Sequence, residues 1–342
     1  MRATRSLTLA GLLTAAAGIA LFVWIVWNAG PQEIWEGIRQ VGWGLLAVIV
    51  IAGLRFGARA VAWIRCLEPP HTLRLVDAFM AVVSGDALGN ATPLGPLVGE
   101  PAKVAFVRRR VPLGVAFTAL AIENLFYTLS VAAVIAAGTI ALLLRGGLAS
   151  DMRLAAEIAI ALVLAAYVAV VLTLWRKPAL LSNAITWLGR RWRSPRLHAQ
   201  LDKVQRLEQD IYTFASRRRQ AVVALVATEL LFHALGVLEV HLTLWLTLGD
   251  PPPLVTSFIL ETANRLVVVL FKFVPMQQPG LNEVSTVVVA QLLGFSTQAG
   301  STLAFVRRAR MLFWQLAGTG LLVRHGVTAR RILDDAELSA SG

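Results

Sequence analysis

Arg55 and Arg59 stand four residues apart in an otherwise apolar stretch. That spacing puts both guanidinium groups on one face of a helix, where they can grip a phosphate or pair with a carboxylate. Glu229 with His233 and Glu261 with Arg265 repeat the interval. The Glu261–Arg265 pair either neutralises itself or contacts a ligand. Glu229 and His233 have the spacing of metal ligands but no convincing third ligand, so they read as a buried hydrogen-bonded pair, and no metal or cofactor is expected. Glu100 and Glu283 each follow a Pro/Gly break, Pro93-Leu-Gly95-Pro96-Leu-Val-Gly99-Glu100 and Pro275-Met-Gln-Gln-Pro279-Gly280-Leu-Asn-Glu283. A carboxylate at such a helix start is stabilised by free amides and the positive end of the helix dipole. It either caps its half-helix or, with Lys103 or Lys272 nearby, helps hold an anionic headgroup or a coupling ion.

The elements that position these groups are membrane helices. Of the 342 residues, 57% are hydrophobic and 15% charged, and the mean hydropathy is +0.67; a soluble globular domain does not have this composition. Apolar runs long enough to cross the hydrocarbon occur at 7–27, 43–63, 113–144, 154–175, 221–248 and 303–323, and two more, near 75–98 and 254–293, contain the breaks. The run at 7–27 is longer than the apolar core of a signal peptide and reads as a retained anchor. A lone cysteine, Cys66, excludes an internal disulfide. A charged side chain at the bilayer centre costs roughly 2.5–3.5 kcal/mol, so Arg55, Arg59, Glu100, Lys103, Glu123, Glu261, Arg265, Lys272 and Glu283 must face protein, water or ligand rather than lipid.

The net charge of +12 is concentrated at Arg2 and Arg5, at 65–74, at Lys103 and Arg108 to Arg110, at 176–219 and beyond Arg324. The positive-inside rule makes these segments, and both termini, cytoplasmic. Loops at 28–41 and 249–253 then lie outside, and Glu239 and His241 fall near that outer interface, where solvation accounts for them. With Arg65 and Arg108 on the same side, 75–98 must dip in and return as a re-entrant hairpin with its tip at Asn90 to Pro96. The second break enters from the opposite side. The expected fold is therefore an all-α polytopic bundle, a single membrane domain over 1–342 with two re-entrant broken-helix hairpins in inverted repeats. Its first half is 7–175, its second 220–323, and a short tail follows at 324–342. This topology puts Arg307, Arg308 and Arg310 inside the last span, where they must meet protein, water or an anion. Between the halves, apolar residues from Leu197 to Phe214 recur at three- and four-residue steps among basic ones, an amphipathic helix that lies in the cytoplasmic interface or packs on the bundle ends.

Asn90-x-x-Pro93 followed by Gly99-Glu100 and Lys103, then Glu123-Asn124, resembles the first conserved region of the lysylphosphatidylglycerol synthase transmembrane, or flippase-like, family. Pro275-x-x-x-Pro279-Gly280-x-x-Glu283, followed by Leu293-Gly294 and Arg307-Arg308, resembles the second, and the likeness runs over about 7–323. The resemblance implies a polytopic inner-membrane protein with a role in lipid flipping or export, and adds Asn90, Pro93, Asn124, Pro279, Gly280 and Arg307 to the site. No aminoacyl-transferase domain is read after 323, so synthase activity is not expected. No Gly-x-x-x-x-Gly-Lys-Ser/Thr motif is present.

Three functions fit this reading. The first is translocation of an anionic or glycosylated lipid, or a related amphiphile, with the headgroup on Arg55, Arg59, Lys103, Arg265 and Lys272 and with Glu100 and Glu283 as coupling groups. The second is a membrane-embedded enzyme that modifies a lipid headgroup, with Glu100 or Glu283 as base. The third is a noncatalytic scaffold for lipid-synthesis enzymes. Membrane lipids, and on the third reading those enzymes, are the expected partners. Nucleic acid is not, because the basic charge has a topological cause. The oligomeric state is left open.

Overall fold

The structure, a computed structural model, describes residues 31–91, 95–146, 201–270 and 281–325, with scattered helical positions between 153 and 187. The expected span at 7–27, residues 92–94 and 271–280 of the two breaks with Pro93, Lys272, Pro279 and Gly280, parts of 154–175 and the tail beyond 325 lie outside the described residues, as does the side chain of Glu283. Ten helices are bounded among the described residues: α1 (Pro31–Val41), α2 (Gly44–Cys66), α3 (Leu75–Ala91), α4 (Pro96–Val107), α5 (Leu113–Arg145), α6 (Leu201–Arg217), α7 (Arg219–Leu248), α8 (Leu254–Leu270), α9 (Leu281–Leu292) and α10 (Thr297–His325). This is the all-α membrane bundle expected. The segment expected as an outer loop at 28–41 instead contains α1: its apolar residues fall on one stripe, and Val41 packs with Val48 and Val306.

Local chemistry sets the element ends. Gly95, at φ +36°, turns the chain into α4, and Pro96 takes the first helical position, where its missing N–H costs nothing. Gly249, at φ +84°, ends α7 with its amide donating to the Trp245 carbonyl, a left-handed cap that glycine tolerates. Helices α2, α5 and α7 are long and apolar enough to cross a membrane. They carry exposed Leu46, Val50, Leu54, Phe117, Ile140, Val223 and Leu230 on faces that suit lipid rather than water.

The two central helices run antiparallel. Gly44, at the start of α2, abuts Leu246 near the end of α7; Arg55 and Glu239 meet midway; and Leu67, just past α2, accepts a hydrogen bond from Arg218, just before α7. Helices α3 and α4 form a hairpin, with Gly89 near Gly95 and Gly85 against Gly99. Ile259 and Leu260 of α8 share a cluster with Ala290 of α9 and Leu293. Each hairpin pairs a helix of 17 residues with one of 12. At 1.5 Å per residue these reach about 25 Å and 18 Å, short of the ~30 Å hydrocarbon.

The hairpins are based at opposite ends of the central pair. Leu73, Ala78, Val107 and Val111, around the base of α3–α4, pack with Trp63 and Cys66 at the end of α2 and Leu225 at the start of α7. The base of α8–α9 packs instead with Val240 and Leu244, at the other end of α7.

The packing repeats itself. The sequence of elements from α1 to α5 recurs from α6 to α10, and neighbour relations survive the exchange: α3 packs on α10 as α8 packs on α5, α2 on α10 as α7 on α5, α4 on α5 as α9 on α10, and α1 on α10 as α6 on α5. Even contact chemistry is shared, since Gly138 of α5 abuts Thr262 of α8 and Gly318 of α10 abuts Val83 of α3; small residues let membrane helices approach closely. Because α2 and α7 are antiparallel partners under this exchange, the relating axis lies across the helices. The basic amphipathic helix, α6, buries Phe214 in the cluster containing Ala60 and Cys66, so of its two expected placements it adopts packing on the bundle end.

Candidate functional site

Helix α2 presents Arg55 and Arg59 on its inner face, and the two have different partners. Arg59 donates to Glu123 (2.9 Å) and to the Asn124 side-chain oxygen (3.1 Å), both on α5, and lies 3.8 Å over the Tyr127 ring. Asn124 then donates to Glu100 (3.0 Å), whose other oxygen accepts from Lys103 (2.8 Å). Arg59, Glu123, Asn124, Glu100 and Lys103 thus form one chain in which two cations face two carboxylates. Helix α4 begins at Pro96, so Glu100 sits a turn inside it and binds these side chains rather than the free amides expected at a helix start. Glu283 does fall in the first turn of its helix.

Arg55 belongs to a second network. It reaches Glu239 of α7 at 2.9 Å and Glu261 of α8 at 3.7 Å. Glu239 also binds Arg310 (2.6 Å), and Glu261 binds Arg265 (2.8 Å) and Arg307 (2.9 Å). Arg55 and Arg265 both lie over the Phe232 ring, 4.7 Å and 5.0 Å from its centre. Among the described residues, four arginines here share two carboxylates. Glu239, expected to be solvated near an interface, is only 2% exposed and bridges two arginines. His241 is part-buried and contacts Ser257 (3.2 Å). The expectation failed at both because α7 turns these positions toward α8 and α10.

The second network lines a cavity of about 310 Å³. Arg55 and Phe56 of α2, Asp86 and Asn90 of α3, Tyr127 of α5, Glu261 and Arg265 of α8, and Arg307, Arg308 and Arg310 of α10 contribute to its wall. Asn90 donates to Asp86 (2.9 Å) on that wall, and Arg307 also donates to Thr286 of α9 (3.4 Å). Both repeats therefore build it, each with a hairpin helix and long helices. Among the described residues, five arginines line the cavity against three carboxylates.

Of the residues expected at the site, Arg55, Asn90, Glu261, Arg265 and Arg307 come together around the cavity. Arg59, Glu100, Lys103, Glu123 and Asn124 form the neighbouring neutral chain. Pro93, Lys272, Pro279 and Gly280, and the side chain of Glu283, lie outside the described residues. Asp86, Phe232, Glu239, Arg308, Arg310 and Trp314 are among the wall residues not assigned to the site from sequence. The signal for the arginines was present, since three in four residues of an apolar span need a polar environment; the aromatic rings carried none. Among the described residues no group of three histidines, cysteines or carboxylates could hold a metal ion.

Neither a curated protein nor a solved structure matches the chain. Residues 8–318 match the family described as Lysylphosphatidylglycerol synthase TM region, a span that includes the central helices, both hairpins and the arginines of α10. This is the family that the Asn90-x-x-Pro93 and Pro279-Gly280 motifs resemble, and the chain belongs to it.

Proposed function

We propose that the protein is a lipid translocator, carrying an anionic or glycosylated lipid or a related amphiphile across the inner membrane, with both chain termini on the cytoplasmic side. The observation that carries this reading is the surplus of guanidinium groups around one cavity between two repeats. Arginine gathered at membrane depth is costly unless its charge is met, and an anionic headgroup competes with the wall carboxylates to meet it. Arginine suits phosphate, because its planar fork gives two parallel hydrogen bonds. The headgroup would enter among Arg265, Arg307 and Arg308 while the acyl or prenyl tails stay in lipid.

Movement follows from the repeat architecture. Cavities between inverted repeats change exposure when one repeat rocks against the other. Arg55 would hold one arrangement by bridging from α2 to Glu239 and Glu261 on the other repeat. A headgroup phosphate competing for Arg265 and Arg307 would loosen that bridge. Enzymes of lipid synthesis are the natural suppliers of cargo, and α6 gives them a basic face on the proposed cytoplasmic side.

The test is leaflet exchange of fluorescent lipids in liposomes containing the purified protein. Phosphate-bearing or glycosylated lipids should exchange faster than in empty liposomes, and Arg265→Gln with Arg307→Gln should abolish the gain. Equal exchange by the double variant, or a chemically altered lipid recovered in place of a moved one, would overturn the proposal.

A further inference from the structure

Glu229 is 2% exposed, and among the described residues no lysine or arginine lies within ion-pair distance of it, unlike Glu100, Glu123, Glu239 and Glu261. Its side-chain partner is the hydroxyl of Ser130 on α5, at 3.2 Å. The same hydroxyl lies 2.9 Å from Nε2 of His233 and 2.8 Å from the Tyr127 carbonyl oxygen. His233 is 4% exposed and its Nδ1 has no hydrogen-bond partner.

Burial without a cation, together with the count of hydrogens, makes Glu229 a proton site. Ser130 has one hydrogen to give and three acceptor-type neighbours. If it donates to the Tyr127 carbonyl, Glu229 and His233 Nε2 both face its lone pairs, so each must carry a hydrogen of its own. If it donates to Glu229, an ionised carboxylate is satisfied and His233, as the neutral tautomer with its hydrogen on Nε2, donates to the Ser130 lone pair. If it donates to His233, the carboxyl must bear the proton. Two of the three arrangements put a proton on the Glu229 carboxyl, and the third leaves a buried carboxylate with no cation at ion-pair distance among the described residues, which burial disfavours.

We infer that Glu229, Ser130 and His233 form a proton-binding relay that couples proton movement to the translocation proposed above, a reading on which the coupling rests. In the proton-binding step the Glu229 carboxylate takes a proton from hydronium, forming the carboxyl O–H and releasing water, while Ser130 turns its O–H from Glu229 to the Tyr127 carbonyl oxygen and His233 stays neutral with its hydrogen on Nε2; serine keeps one hydrogen throughout. Tyr127, Val131 and Phe232, which flank the relay in sequence, line the cavity. The charged groups around the relay are Arg55 and Arg59 from α2, Glu123 from α5, and Glu261 and Arg265 from α8, with the Tyr127 phenol beside Arg59. Arg310 of α10 meets α7 farther along, at Glu239. Helix α6 approaches the start of α7 through Arg218, and α1 approaches its end beside Leu242. An anion among these arginines and a proton on the relay attract one another, so each favours the other's binding. The predicted coupling is therefore co-transport of anion and proton in the same direction.

The experiment has two readouts on the reconstituted full chain, with Glu229→Gln, Ser130→Ala and His233→Gln checked for folding by thermal unfolding. Infrared spectroscopy should find a protonated-carboxyl stretch that is lost in Glu229→Gln and shifted in Ser130→Ala; a wild-type spectrum unchanged by Glu229→Gln at every pH overturns the proton site. Lipid exchange driven by an inward proton gradient should rise about 5-fold to 150-fold over exchange without one, the ordinary range for coupled binding, and Glu229→Gln should exchange equally with and without the gradient. Wild-type exchange that ignores the gradient overturns the coupling. Wild type that exchanges no lipid overturns the coupling through the translocator reading itself, while the infrared band still decides whether Glu229 binds the proton.

Discussion

Arg55 and Arg59 are one turn apart on α2, yet Arg59 is bound within its own repeat, to Glu123 and Asn124, whereas Arg55 reaches Glu239 and Glu261 of the other repeat. One guanidinium ties helices within a repeat and the other ties the two repeats together. The difference gives the two positions separable phenotypes.

Arg59→Gln should destabilise the protein strongly. It leaves Glu123, 1% exposed, without its cation, and removing one member of a buried ion pair costs about 3–5 kcal/mol. The double variant Arg59→Gln with Glu123→Gln should recover most of that loss, as measured by thermal unfolding in detergent. If the double variant is no more stable than the single one, the pair is not what holds α2 to α5.

Arg55→Gln should be milder for stability, because Glu239 keeps Arg310 and Glu261 keeps Arg265 and Arg307. A loss of about 1 kcal/mol is expected, with a larger effect on lipid exchange. Thermal unfolding and exchange measured on the same preparation separate the two; a collapse of stability equal to that of Arg59→Gln would contradict the assignment.

The α3–α4 hairpin depends on backbone contact between glycines. A Cβ at Gly99 would lie 2.7 Å from the Gly85 carbonyl oxygen, and one at Gly85 would lie 2.7 Å from the Gly99 carbonyl oxygen. Gly99→Val should therefore force the helices apart, costing about 1–3 kcal/mol and lowering the unfolding temperature. Gly57→Ala and Gly114→Ala, where a Cβ meets nothing within 4 Å, should fall near wild type.

The antiparallel central pair can be tested by distance. In a Cys66→Ala background, cysteines at Gly44 and Leu246 should cross-link with a short bifunctional reagent, since the two positions abut. Cysteines at Gly44 and Val222 should not, because Val222 packs near Cys66 at the far end of α2. Cross-linking of the second pair with equal yield would reverse the direction of α7.

Inverted repeats also demand opposite sidedness for α1 and α6, the equivalent leading helices. Single cysteines at Glu36 and Arg217, in the same background, should react with a membrane-impermeant thiol reagent from opposite faces of the membrane: Glu36 in intact cells and Arg217 only in inverted vesicles. Both positions reacting from one face would rule out inversion.

The sequence by itself determined that this is a helical membrane protein, where most of its long helices lie, and that two interruptions punctuate them. Those features depend on local composition, apolar run length and the conformational limits of proline and glycine, all readable along the chain. It also pointed to Arg307 and its neighbours, since charge in an apolar span needs a polar setting. It did not distinguish Arg55 from Arg59, because identical residues at helical spacing acquire different partners only when another helix arrives opposite each. Glu239 was misread for the same reason: distance along the chain from a predicted interface says nothing of which face a helix turns inward. The cavity joins residues up to 262 positions apart in sequence, from Ala52 to Trp314, and neither its surplus of arginine nor the hydrogen count at Ser130 existed until packing brought the two repeats together.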